Sequence, residues 1–165
     1  MFRVRAEFRD ELEIAAACER VRAFFSDLRN FSRLVPGIEG IIEESVGVMC
    51  LRVSVEVALI GMMQGDFRMI QVDSSSGRIE WGPAPTESQN LLRYAVSFEA
   101  NGASTTKVRV AQRVELRRNS ATDLHLMAGL LGEKRIGSAV EYRLGVMMKT
   151  FLKSARVELP GPIAV

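Results

Sequence analysis

Cysteine and histidine are scarce in this chain: among 165 residues there are two cysteines and one histidine. Cys18 and Cys50 form no Cys-x-x-Cys pair, so zinc-ribbon and dithiol redox motifs are missing. Both are expected as reduced thiols in a cytoplasmic protein. His125 stands alone, without a second imidazole or thiolate to build a metal site. No Gly-x-Ser-x-Gly elbow offers a serine nucleophile. The glycine-bracketed stretch Gly61–Gly65 lacks the Lys-Ser/Thr ending of a phosphate loop, and no dinucleotide fingerprint occurs. No metal and no cofactor is therefore expected, and no residue is assigned as catalytic.

Long apolar runs are also lacking. The longest candidate, Leu124 to Leu131, falls far short of the roughly 20 residues a spanning helix needs, and His125 and Gly129 interrupt it. Stable membrane insertion is not expected. The opening segment alternates and is charged from the start, unlike a secretory leader. An excess of one charge is lacking too, with 22 basic against 20 acidic residues and a net charge of +2. That balance argues against nucleic acid as a partner. The basic stretch Arg113 to Arg118, broken by Glu115, reads as the outer face of a strand.

What is present is ordinary globular material, 47% hydrophobic and 25% charged, organised as one domain over 1–159 with a short tail over 160–165. Val4, Ala6, Phe8, Leu12 and Ile14 alternate with charged residues, which predicts a strand with one dry face. Asp10 breaks that face. From Cys18 to Leu34 the period lengthens, predicting two short helices joined near Ser26-Asp27, the second capped by Asp27 or Asn30. Pro36-Gly37 turns the chain. Strands are then predicted at Ile38–Ser45, Val48–Ile60, Asp66–Asp73, Arg78–Gly82, Leu91–Ala100 and Thr105–Arg117, with Asn101-Gly102 as a hairpin turn. Ser120-Ala121-Thr122-Asp123 has the form of a capping box. Ile136, Val140, Leu144, Met147 and Phe151 form one apolar stripe on a long terminal helix. Gly129, Gly132 and Gly137 predict a bent or mobile first half.

This order resembles the helix-grip fold of the START-like, Bet v 1-like superfamily, which includes polyketide cyclases and lipid-transfer domains. The segment Phe24-Phe25-Ser26-Asp27, followed by Leu34-Val35-Pro36-Gly37-Ile38-Glu39, is similar to a segment of the accessory-protein family associated with carbon monoxide dehydrogenase. The resemblance implies an α+β fold in which a curved seven-stranded antiparallel sheet wraps a long C-terminal helix. It also implies a cavity between the two, and hence room for a small apolar molecule, but no particular substrate.

The candidate cavity wall comprises Phe67, Met69, Trp81, Tyr94 and Phe98 from the sheet, with Met127, Leu131, Ile136, Val140 and Leu144 from the helix. Each of these also reads as plain core. Asp10 and Gln112, polar residues on dry faces, either orient a ligand or, for Asp10, turn outward at a bulge. Met62 and Met63 read either as a pliable lid on the Gly61–Gly65 turn or as an exposed hairpin. His125 reads as a solvated helix-terminal residue or as one at the cavity mouth. The leading functional expectation is a carrier or sensor of a lipid-, polyketide- or aromatic-like molecule. The alternatives are a cyclase or dehydratase working through Asp10 or His125, and an accessory protein acting through its surface, for which a protein partner stays open.

Overall fold

The structure, a computed structural model, describes residues 1–160. The predicted tail, apart from Pro160, lies outside the described residues. The elements run β1 (Phe2–Ile14), α1 (Cys18–Ser26), α2 (Arg29–Leu34), β2 (Ile38–Ser45), β3 (Val48–Val57), β4 (Gly61–Ser75), β5 (Arg78–Pro83), β6 (Asn90–Ala100), β7 (Thr106–Arg118), a 3-10 turn (Ala121–Asp123) and α3 (Ala128–Glu158). The seven strands form one antiparallel sheet in the order β1-β7-β6-β5-β4-β3-β2. This is the helix-grip arrangement, with α3 packed on the sheet and the two short helices between the first two strands.

Alternation places the sheet. Val4, Ala6, Phe8, Leu12 and Ile14 are buried while their odd-numbered neighbours face water. On the wet face β1 and β7 are laced by cross-strand ion pairs, with Glu7 to Arg113 at 2.8 Å and Glu11 to Arg109 at 2.7 Å. Arg113 thus faces outward as predicted.

Long-range contacts cover the free edge of β1, which would otherwise present unpaired backbone groups. The carboxylate of Glu133 accepts the Arg3 N–H at 2.7 Å, and that of Glu141 accepts the Glu7 N–H at 3.0 Å. Midway between them, Gly137 lies against the Arg5 backbone. These three helix residues are spaced by four, so they stand on one side of α3. Arg156 completes the edge by donating to the Glu13 carbonyl at 3.2 Å.

An aromatic cluster joins α1, α2, α3 and the sheet. Phe31 stacks on Phe151 with ring centres 4.4 Å apart and meets Tyr94 edge-on at 4.6 Å. Phe25 packs against Phe98 at 5.9 Å and against Phe151 at 5.7 Å. Arg33 clamps the far end of α3 through two bonds to Glu158, both 2.7 Å. Asp27 accepts the Arg29 N–H at 3.0 Å at the start of α2, while Asn30 donates to the Phe24 carbonyl at 2.8 Å.

Two local expectations need correction. The turn after β3 is Ala58-Leu59-Ile60, with Leu59 at φ 78° and Gly61 at φ 81°. Gly61 to Gly65 is therefore the start of β4 and not a loop, because Met62 and Met63 are held in the ladder opposite Glu56 and Val55. Secondly, the Ser120–Asp123 capping box forms, but it closes the 3-10 turn, not the long helix. The bend expected in the first half of α3 is located at Gly132, whose φ of 81° and ψ of 161° are non-helical.

Candidate functional site

Between the sheet and α3 a cavity of about 110 Å³ remains, lined from β3, β4, β6 and β7. For scale, an apolar cavity of about 150 Å³ admits benzene, so a molecule larger than one ring would reach out through the mouth. Its wall is mostly aliphatic and aromatic, with Leu51, Phe67, Leu92 and Leu116 from the sheet and Leu144 and Met147 from the helix. Phe31 both forms part of the wall and stacks on Phe151, so the aromatic cluster closes one end. The half-buried wall residues Val53, Val55, Met63, Val140 and Arg143 mark the mouth between the β3–β4 hairpin and the middle of α3.

Of the residues expected at the wall from sequence, Phe67, Met69, Tyr94, Gln112, Val140 and Leu144 lie on it. Trp81, Phe98, Met127, Leu131 and Ile136 do not. Ile136 is wholly buried in the solid core, and Phe98 belongs to the aromatic cluster. Trp81 is partly buried against the core, with its indole nitrogen enclosed and unpartnered. Met127 and Leu131 precede the Gly132 break, and Met127 is largely exposed. An inward-facing parity cannot separate wall from core, since both are dry.

Asp10 is also absent from the cavity. It is exposed, and its carboxylate accepts the N–H of Glu11 at 2.8 Å. No bulge turns it out, because the β1–β7 register is unbroken, with Asp10 opposite Val110 and Phe8 opposite Gln112. Asp10 instead covers one more backbone donor on the free edge of β1. His125 lies off the cavity too, with Nδ1 accepting the Met127 N–H at 3.1 Å.

The wall carries polar groups that sequence reading missed. Arg118 shares the inward parity of Val114 and Leu116, so it lines the cavity and does not belong to the outer face assigned to Arg113–Arg118. It donates to the Asn90 side-chain oxygen at 2.9 Å and to the backbone carbonyls of Gln89 and Arg117. Burial pulls its pKa below the usual guanidinium value. Arg143 lies at the mouth on α3 with its Nε enclosed. Three buried polar atoms on the wall have no partner among the described residues: Tyr94 Oη, Gln112 Oε1 and Arg143 Nε. Tyr94 is 1% exposed, and burial alone pushes its phenol well above the ordinary value, so it stays protonated. An enclosed polar atom without a partner costs about 1–3 kcal/mol. Such atoms gathered in a cavity are what a ligand's polar end would satisfy.

Among the described residues, no three metal-type side chains cluster and no helix is long and apolar enough to cross a membrane. Both cysteines are free thiols, Cys50 buried and Cys18 partly so.

Neither the protein-family models nor the curated proteins give a match to this sequence. Solved structures do. A START superfamily protein from Mycobacterium smegmatis superposes with a TM-score of 0.64 at 16% identity, over 93% of this chain and 96% of that one. The Zhui aromatase/cyclase from Streptomyces sp. R1128 gives a TM-score of 0.63 at 18% identity, over 96% of this chain and 99% of that one. The di-domain ARO/CYC BexL from the BE-7585A biosynthetic pathway gives 0.61 at 15% identity over 96% of this chain, which spans about half (51%) of BexL. At these identities the likeness establishes the fold.

Proposed function

We propose that this START-like helix-grip domain binds a small hydrophobic ligand in the space between its sheet and α3. The observation that carries the reading is the cavity itself, apolar over most of its wall yet bearing unpartnered polar atoms. Affinity would come from apolar burial, at about 25 cal/mol per Å² before the costs of association. The polar atoms would set orientation. The names of the similar proteins, START superfamily protein and aromatase/cyclase, agree with a cavity-based role.

A cyclase or dehydratase reading through Asp10 or His125 loses its support, since neither lines the cavity. A carrier or sensor needs no acid–base group there.

The test is a fluorescence titration with N-phenyl-1-naphthylamine, a neutral apolar probe. Saturable single-site binding is expected in the wild type. Val140→Trp, which places an indole at the mouth, should weaken it by about ten-fold. A folded wild-type protein that binds neither this probe nor any other apolar molecule rules the reading out.

A further inference from the structure

The cavity's polar groups are unevenly placed, and their placement says something about the ligand's head. Tyr94 and Gln112 are register partners across β6 and β7, and Gln112 is in turn opposite Phe8 on β1. Side chains directly opposite in a ladder stand about 5 Å apart at Cβ. α3 is fixed at the same level, because Glu141 holds the N–H of Glu7. Arg143, two residues further along α3, stands on a different side of the helix from Glu141, turned from the β1 edge toward the mouth. Arg143 Nε–H, Tyr94 Oη–H and the Gln112 amide oxygen are the buried, unpartnered polar atoms of this wall.

No carboxylate of the described residues answers Arg143. It makes no ion pair and no hydrogen bond within the described residues. Arg118, the other guanidinium on the wall, also lacks an ion pair among the described residues; Glu87 and Asp123 act on it only from beyond that range. Arg118 differs in being occupied by Asn90 and two backbone carbonyls. An enclosed guanidinium N–H without an anion is unfavourable, and the planar fork of arginine suits a carboxylate.

We propose that the ligand is an amphipathic carboxylate, its apolar body against the aliphatic wall and its head at the mouth, taking a hydrogen bond from Arg143 Nε. This rests on the cavity being a ligand site.

The test compares 4-butylbenzoate with 4-butylbenzyl alcohol, which share a body and differ in head charge, by isothermal titration calorimetry at neutral pH. The wild type should prefer the carboxylate by about ten-fold or more, as a charge-assisted hydrogen bond implies. Arg143→Gln should bring the ratio of the two affinities close to one. Arg143→Lys should keep part of the preference, and thermal unfolding confirms that each variant is folded. Arg118→Gln should keep most of it. Equal binding of both probes by the wild type overturns the inference while leaving the ligand site standing. A preference that survives Arg143→Gln, or that vanishes only with Arg118→Gln, overturns the assignment of the head to Arg143. Binding of neither probe overturns the inference, and the binding reading falls with it only if N-phenyl-1-naphthylamine also fails.

Discussion

Gly137 and Arg5 meet so closely that a β-carbon built on the glycine would stand 3.0 Å from the Arg5 carbonyl oxygen. The contact lets α3 lie along the free edge of β1, with Glu133 one turn before it and Glu141 one turn after. Gly137→Ala forces helix and strand apart, and the loss should outweigh the gain of up to about 1 kcal/mol in helix propensity. Gly145, on the same helix, has nothing within 4 Å of such a carbon. Gly145→Ala should therefore raise stability by about 0.5–1 kcal/mol. Urea unfolding of the two variants, side by side, should give shifts of opposite sign.

Glu141 acts as a remote cap for a strand. Its replacement by alanine leaves the Glu7 N–H without its carboxylate acceptor, at a cost of about 0.5–1.5 kcal/mol. Native-state amide exchange should show faster exchange at Glu7, with little change at Ala6 and Phe8, whose groups face β7. Uniform acceleration along β1 would mean that the contact holds the whole strand and not one donor.

Tyr94 makes a prediction at high pH. Burial raises its folded-state pKa well above 10.0, the value expected in the unfolded chain. Below that value both states are protonated and the tyrosine adds no pH dependence. Above it the unfolded chain ionises while the folded one does not, so stability falls as pH rises. In a Tyr142→Phe background, phenolate absorbance should appear only as the protein unfolds. Phenolate forming in the folded state would show that water reaches the Tyr94 hydroxyl.

The Arg33–Glu158 clamp predicts acid sensitivity. The Arg33 guanidinium bonds Glu158 and holds its carboxyl below the ordinary glutamate value of 4.5. A depressed folded pKa means that the contribution is complete above the unfolded value and is lost as pH falls through the folded one. Carboxyl carbon NMR should show Glu158 titrating lower in the wild type than in Arg33→Gln. Because the pair is partly exposed, the effect on global stability should be small and sensitive to salt.

Much of the scaffold was legible because period and turn chemistry are local. The alternation of Val4, Ala6 and Phe8 marked the dry face of β1. Asn101-Gly102 marked the β6–β7 hairpin, with Gly102 at φ 81°. Pro36-Gly37 marked the turn into β2, where Gly37 has φ 90° and any side chain would overlap Val55. The site was legible only in part. Phe67, Tyr94 and Leu144 carried the right parity, but so did Phe98 and Ile136. Cavity and core are both dry, and only the gap left between sheet and helix separates them. Asp10 was misread because alternation says which face a residue occupies and not that its strand is an edge with donors to cover. Arg118 and Arg143 were missed for a related reason. Arginine on a strand or helix is normally read as solvated, and its turn into a cavity depends on what the facing elements leave empty.

The closed rim of β1 bears on how copies of this chain can associate. Fibrillar growth by edge pairing needs two open rims on each copy, one to receive and one to offer. Here the terminal helix already occupies one rim, and the other, β2, carries Glu39 and Glu43, like charges that resist a second copy of itself. Sheet extension in the folded state is thus limited to a single pairing that ends the chain of additions, and any longer assembly must first peel α3 away.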